Sequence, residues 1–403
     1  ALWGFAVSQL VFAPLCDTLG MRFLVRLAWF CHLLGTLTMM FATGFWMLFG
    51  GALVIAMGNG LVEAACNPLV ATLYPENKTV KLNQFHVWFP GGIVLGGLGA
   101  YALDQAGVGA WQVKLALILV PTVIYGLLLL GRVFPATEGV QAGVSVGEMF
   151  RAAFTTPFMW VMLIAMAMTA SVELGPNRWV PAVLEAGGMP GILVLVWISG
   201  LMAVLRFKAG PVVERLSPTG VLLASSVLSG LGLLGLYQWG SGPLAFAAAT
   251  VFAVGVCYFW PTMLGVVSER VPKSGALGLA LMGGMGMLIV GVLTTPKMGN
   301  VADQYLHEQL QSEETQQETI AALGNAVGSY PALAIDEEEI ERAAPARRSL
   351  VAPRAKQLGF PARDSRQLPL RNPALEADPE PARKVRVESG PHPFGMHDPS
   401  HEG

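Results

Sequence analysis

Apolar residues run along this chain in long blocks, not in alternation. The blocks lie at about 1–16, 24–42, 45–73, 85–105, 111–134, 156–175, 190–207, 219–239, 243–268 and 276–296, separated by short polar connections. Most approach the ~20 residues with which an α-helix crosses a bilayer, and the period-two alternation of outer-membrane strands is missing. The pattern predicts ten membrane-crossing helices. Beyond about Gln304 it stops: the chain turns acidic and glutamine-rich (Glu313, Glu314, Glu318, then Asp336 to Glu339) and, from about Ala343, rich in Pro and Arg. Such a composition cannot bury enough apolar surface to fold alone, so residues 301–403 are expected to form a polar, largely disordered tail.

Composition sharpens the class. Hydrophobic residues make up 53% and charged residues 13% of the chain, with a mean hydropathy of +0.54, against ~25% charged in soluble domains. The expected fold class is an all-α integral membrane protein. Its 47 glycines cluster inside the spans, as in Gly91-Gly92, Gly96-Gly97 and Gly283-Gly284, where small residues let helix backbones approach closely. The four cysteines, Cys16, Cys31, Cys66 and Cys257, show neither a pairing pattern nor a metal-ligand spacing and read as small core residues. No phosphate-cradling glycine loop is found. Enzymatic catalysis, ATP-driven pumping, a metal and an organic cofactor are therefore not expected. The tail's arginines are broken up by prolines and lack aromatic residues for base stacking, which argues against a nucleic-acid partner.

The distribution of charge gives orientation. Arg22, Arg26, Lys78, Lys81, Arg132, Arg151, Arg206, Lys208, Arg215, Arg270 and Lys273 fall on one side, and only Lys114, Arg178 and Lys297 on the other. The richer side is cytoplasmic by the positive-inside rule, so the first residues start outside and run inward. The chain opens at Ala1 within an apolar stretch. After Pro296 the best candidate for a further span, Thr319 to Ile335, contains Asn325, Gly328 and Pro331. Ten spans are thus expected to be the inner ten of a larger set. The tail is either a long insertion before a final helix or, distally, the product of a reading-frame shift.

An internal repeat supports a duplicated plan. The stretch Ala13-Pro-Leu-Cys-Asp17-Thr-Leu-Gly20-Met-Arg22 has a counterpart in Gly210-Pro-Val-Val-Glu214-Arg215-Leu-Ser-Pro218, with Asp17 and Glu214 separated by 197 positions. The same offset carries Leu19 onto Leu216, Gly58 onto Gly255 and Pro75 onto Pro272. Duplicated halves around a midplane site are a recurrent transporter plan. The expected organisation is a first bundle over 1–134, a cytoplasmic linker over 135–150 and a second bundle over 151–300.

Within the first loop, Leu15, Asp17, Gly20 and Arg22 resemble the Gly-x-Leu-x-Asp-x-x-Gly-x-Arg signature of the major facilitator superfamily, with Ala13 in the first glycine's place. The resemblance implies two pseudo-symmetric six-helix bundles, of which about ten of twelve helices would be present, the first and the last being missing. Asp17, Gly20 and Arg22, with Glu214 and Arg215 in the second half, become candidates for a cytoplasmic gate. There the acid and arginines can make charge-assisted hydrogen bonds between halves, and Gly20 permits the turn.

The most informative single residue is Glu63, a carboxylate in the middle of the apolar run 45–73. Charge there is costly and is by default functional. Gly60, Glu63 and Asn67 share a helical face. The run GLVEAACNPLVATLYP, with Lys81-Leu-Asn83 and Gly91-Gly92, resembles the fucose:proton symporter family of sugar permeases over residues 58–99. In that family the acid of the fourth helix, here Glu63, lies in the sugar pocket. The family's coupling aspartate belongs to a first helix with no counterpart here. Where that family carries a glutamine and, three residues on, an asparagine, this chain has His86 and Phe89.

Further candidates follow from residue chemistry. Glu63 can accept paired hydroxyl hydrogen bonds, and burial disfavours its charged form, so it is also a candidate proton carrier. Asn67 is either a ligand contact or a partner for backbone groups freed by Pro68. His86 is a ligand contact, a relay or a core histidine, whereas His32 is read as structural. Trp88 can cover a sugar's apolar face. Glu173, followed by Trp179, is placed near the outer interface as a gate or pocket rim. Tyr258 and Trp260, taken to share one helical face, are candidates for the opposite wall.

The function expected is secondary active transport of a small polar solute by a monomeric, multi-pass protein of the plasma (inner) membrane. The solute is a monosaccharide, coupled to protons or alternatively to sodium. Two other functions remain open: an exporter of drugs or other amphipathic solutes, and a non-transporting membrane ligand sensor.

Overall fold

The computed structural model describes residues 2–177, 179, 191–239 and 242–311. Arg178 and the tail from residue 312, including the Thr319 to Ile335 stretch, lie outside the described residues. The spans are helical: α1 (Leu2–Phe12), α2 (Cys16–Leu19), α3 (Met21–Met40), α4 (Phe45–Leu73), α5 (Lys78–Phe85), α6 (Trp88–Gln105), α7 (Trp111–Ala116) and α8 (Leu119–Leu128). Linker helices α9 (Glu138–Gln141) and α10 (Val146–Thr155) follow. The second set is α11 (Pro157–Leu174), α12 (Gly191–Phe207), α13 (Ala209–Gln238), α14 (Gly242–Val256), α15 (Phe259–Arg270), α16 (Gly275–Ile289) and, beyond a π-turn at Val290–Thr294, α17 (Thr295–Gln311). Among the described residues, eight helical stretches are long and apolar enough to cross a membrane, and α1 and α12 are shorter apolar helices.

The burial pattern is that of a protein in lipid. On α13 the exposed residues include Leu223, Val227, Leu231 and Leu234, which recur at helical spacing, while Ser225, Ser229, Gly232 and Gly235 are buried. Large apolar side chains face outward, and small ones line the helix contacts, where van der Waals packing, not hydrophobic exclusion, holds helices together.

The offset of 197 recurs in the geometry. Gly20 (φ 79°, ψ 146°) and Ser217 (φ 61°, ψ 160°) occupy the same unusual backbone region at corresponding positions. A Cβ on Gly58 would strike His32, and one on Gly255 would strike Ser229; Gly35 similarly meets Ile55, and Gly232 meets Phe252. Each second pair is the first displaced by 197. Contacts between the two sets obey the same rule, residues 78–105 and 275–302 being the matching spans: α1 packs on the second as α12 packs on the first, and α4 against α16 is the image of α15 against α5. The molecule is thus two pseudo-symmetric helical bundles, with a core cluster across their contact that joins Ala6 and Leu82 to Met159, Met166, Trp260 and Met282.

The glycine doublets divide. Gly283 and Gly284 pack directly on Gln9 and Leu10 of α1, and Gly97 on Val196, but a Cβ at Gly92 or Gly96 would meet nothing within 4 Å. Between the halves, Ser145 caps α10 in a reciprocal capping box with Glu148. Hydrogen bonds from Ser145 hold the Glu148 carboxyl below its usual range.

Candidate functional site

Two helix breaks create the site. The fifth span, expected as one helix from residue 85, starts at Lys78 and is interrupted between Phe85 and Trp88; in the second half it is the span matching α4, over residues 242–270, that is interrupted, between Val256 and Phe259. A break frees backbone carbonyls that must find partners inside the membrane. Tyr258 lies at the second break, so it and Trp260 do not share one continuous helical face, contrary to expectation.

Glu63 projects from α4 towards the first break. Its Oε2 accepts a 2.5 Å hydrogen bond from Asn67 Nδ2, and its Oε1 lies 3.3 Å from His86 Nε2. The Asn67 amide thus serves the carboxylate and not backbone freed by Pro68. His86 is buried, with Nδ1 2.9 Å from the Leu82 carbonyl. A carbonyl can only accept, so Nδ1 carries hydrogen and donates. In the neutral ring, Nε2 then presents a lone pair to the Glu63 carboxylate, setting two acceptors face to face. A proton on Nε2 turns that juxtaposition into an ion pair.

Beside this pair opens a cavity of about 750 Å³, lined by Asn59 and Glu63 of α4, by His86, Trp88 and Phe89, and by His32 and Tyr125 from other helices of the first half, with Leu174 and Met287 from the second. His32, read from sequence as structural and without polar neighbours, is bonded to Tyr125 Oη (2.8 Å) and Asn59 Oδ1 (3.0 Å). Cys66 also lines the cavity, and none of the four cysteines is paired. Gly60 faces α1, where a Cβ would collide with the Phe5 carbonyl, so its role is close packing.

The second half contributes charge instead of a wall. Glu173 is 2% exposed, not solvated at an interface as its position suggested, and its Oε1 accepts from Arg206 Nη2 at 2.8 Å. Arg206 is 1% exposed. It also donates from Nη1 to the His86 carbonyl (3.2 Å) and from Nε to the Cys257 carbonyl (2.5 Å). The guanidinium therefore satisfies a freed carbonyl at each helix break. By sequence Arg206 falls among the flanking charges of the positive-inside pattern; the signal of its interior place is that it ends fifteen uncharged residues of α12. Trp260 is buried beside Glu63, and Tyr258 donates to the Leu205 carbonyl (3.0 Å). Neither lines the cavity.

The gate candidates meet different partners from those expected. Asp17 accepts a 2.5 Å hydrogen bond from Thr137 of the linker, not a bond from an arginine. Arg22, Glu214 and Arg215 make no ion pair among the described residues. The tie between halves is instead at Lys78, which pairs with Glu138 (2.7 Å) and reaches the Ser268 carbonyl (3.5 Å), while Thr79 donates to Glu269.

The sequence profile of the Major Facilitator Superfamily matches residues 1–295. The chain belongs to that superfamily. Its fold is similar to that of a variant of the E. coli fucose:proton symporter FucP, with a TM-score of 0.58 at 19% identity over 75% of this chain and 83% of that one. The outward conformation of FucP gives 0.58 at 18% identity, over 75% and 82%. The human organic anion transporter MFSD10 (TETRAN) gives 0.57 at 15%, over 73% and 76%. At these identities the likeness is one of fold. In sequence, 191 residues are 26% identical to hexose transporter HXT17 of Saccharomyces cerevisiae, covering 44% of this chain and a third (33%) of that transporter's length. The chain is a multi-pass membrane protein of a transporter superfamily.

Proposed function

We propose that this transporter moves a monosaccharide together with a proton across the plasma (inner) membrane, as a monomer, by rocking its two halves around the cavity at Glu63. The observation that carries this reading is the meeting of Glu63 Oε1 and His86 Nε2 at 3.3 Å, inside a membrane-spanning bundle and on the wall of a cavity. Such a pair needs a proton to be stable, and it borders the space a solute would enter. The cavity's ~750 Å³ falls within the ~300–1,000 Å³ of small-molecule sites. Trp88, Phe89 and Tyr125 offer aromatic faces for the apolar side of a pyranose, and Glu63, His86 and Asn59 offer hydroxyl partners. The fold shared with a fucose:proton symporter and the sequence similarity to a hexose transporter support the same choice.

The test is uptake of labelled monosaccharides into proteoliposomes with and without an imposed proton gradient, for the wild type and Glu63→Gln. Gradient-stimulated uptake that the substitution abolishes is expected; wild-type uptake indifferent to the gradient would remove the proton coupling. A second function, export of amphipathic solutes, is favoured by the apolar lining from Leu2, Phe5, Val62, Leu128 and Leu129. Efflux of such a solute in place of sugar uptake would select it.

A further inference from the structure

Four ionisable groups are linked in the interior: Glu63 and His86 in the first half, Glu173 and Arg206 in the second. With both carboxylates and the guanidinium charged, the set becomes neutral when it holds one proton. His86 Nε2 is one place for it. Glu173 offers another, because its Oε2 is buried without a hydrogen-bond partner among the described residues, whereas both oxygens of Glu63 are engaged. An ionised carboxylate with one buried, unmet oxygen is costly, and a proton placed there removes the cost.

We propose that Glu173 is a second seat for the proton held at the Glu63–His86 pair, and that Arg206 is the positioning residue that senses which seat is filled. When the N–H bond at His86 Nε2 breaks and an O–H bond at Glu173 Oε2 forms, the net charge of the four groups stays zero. What changes is the partner of Arg206. Facing a neutral Glu173, the guanidinium loses its adjacent counter-ion and is left with the carbonyls of His86 and Cys257, one at the helix break of each half. Proton position is thereby tied to the backbone at both breaks. Among the described residues, the ionisable groups around Glu173 are Arg206 on α12, His86 between α5 and α6, and Cys257 after α14, with Glu63 on α4 beyond His86.

This inference rests on reading the buried site as the proton-coupled one, but its test needs no transported solute. A chain that moves no sugar is still judged by it. Infrared difference spectroscopy of the purified protein in lipid nanodiscs, between about pH 5 and about pH 9, reads the C=O stretch of protonated buried carboxyls. The expected result is a titrating band that survives Glu63→Gln, moved to lower pH because a negative neighbour is lost, and vanishes in Glu173→Gln. It should persist to higher pH, by about one unit or more, in Arg206→Met, since a nearby cation favours the ionised acid. Because a single substitution leaves a charge unpaired and can prevent folding, the neutral double variant Glu173→Gln/Arg206→Met is measured as well, and it must lack the band. A wild type without the band, a band that survives loss of Glu173, or one lost with Glu63 would overturn the second seat. An unmoved titration in Arg206→Met would overturn the sensing role.

Discussion

Asn67 and His86 grip the two oxygens of Glu63 from different elements, α4 and the α5–α6 break. Removing the carboxylate charge therefore weakens both contacts and whatever hydroxyls share them. Charged hydrogen bonds are each worth ~1.5–3 kcal/mol, so Glu63→Gln is predicted to weaken monosaccharide affinity by about 10- to 100-fold in equilibrium binding. Unchanged affinity would exclude Glu63 from the pocket. At Arg206 the expected effect is on stability. Breaking one side of a buried pair costs about 3–5 kcal/mol, but removing both partners is often close to neutral. Thermal unfolding should therefore show Arg206→Met well below wild type and Glu173→Gln/Arg206→Met between the two, since the double variant removes the unpaired charge but still leaves the His86 and Cys257 carbonyls without a donor; equal losses would mean that the pair is not coupled. Glu63 was legible in the sequence because a carboxylate in the middle of an apolar run is costly to keep unless it serves a function. Arg206 was not: with Lys208 two positions on, it looked like a flanking charge. Only the folded chain brings the freed carbonyls of His86 and Cys257 to its guanidinium.

Helices and their joints show what a linear pattern carries and what it hides. The span over Phe45–Leu73 was legible to the residue, and the 197-residue repeat reappears as matched glycine contacts. The breaks at residues 86–87 and 257–258 do carry a mark, Pro90 and Pro261, each without the N–H that would donate to the carbonyl four residues earlier, that of His86 or Cys257. At the matched turns, glycine serves one half and serine the other. Ser217 holds φ 61° and ψ 160°, a region almost reserved for glycine, at a cost of about 1–3 kcal/mol. Its hydroxyl recovers part of this by accepting from the Gly220 N–H at 3.3 Å. Ser217→Gly is predicted to stabilise the protein by about 1 kcal/mol, read as a higher unfolding temperature. A lower one would show that the cap outweighs the strain.

Across the whole molecule, the ends of α4, α5 and α15 nearest the linker are held to it. Glu138 pairs with Lys78 and donates its N–H to Thr72, and Lys78 and Thr79 reach Ser268 and Glu269 in the second half. If the halves rock, this latch must open. In a cysteine-free background, Glu138→Gln is predicted to speed maleimide labelling of Ala71→Cys, which lies beneath the latch, by about tenfold for each ~1.4 kcal/mol of closure lost. An unchanged rate would mean that the latch does not hold the closed face. The sequence pointed to this face through Asp17 and Gly20 but not to the Lys78–Glu138 pair, which joins residues 60 positions apart that neither motif nor periodicity connects. The central claim, that solute and proton move together, is tested most directly by adding a monosaccharide to de-energised vesicles containing the transporter in weakly buffered, sodium-free medium and following external pH. Alkalinisation that starts with the sugar and disappears in Glu63→Gln is the predicted result; sugar entry with no change in pH would contradict the account.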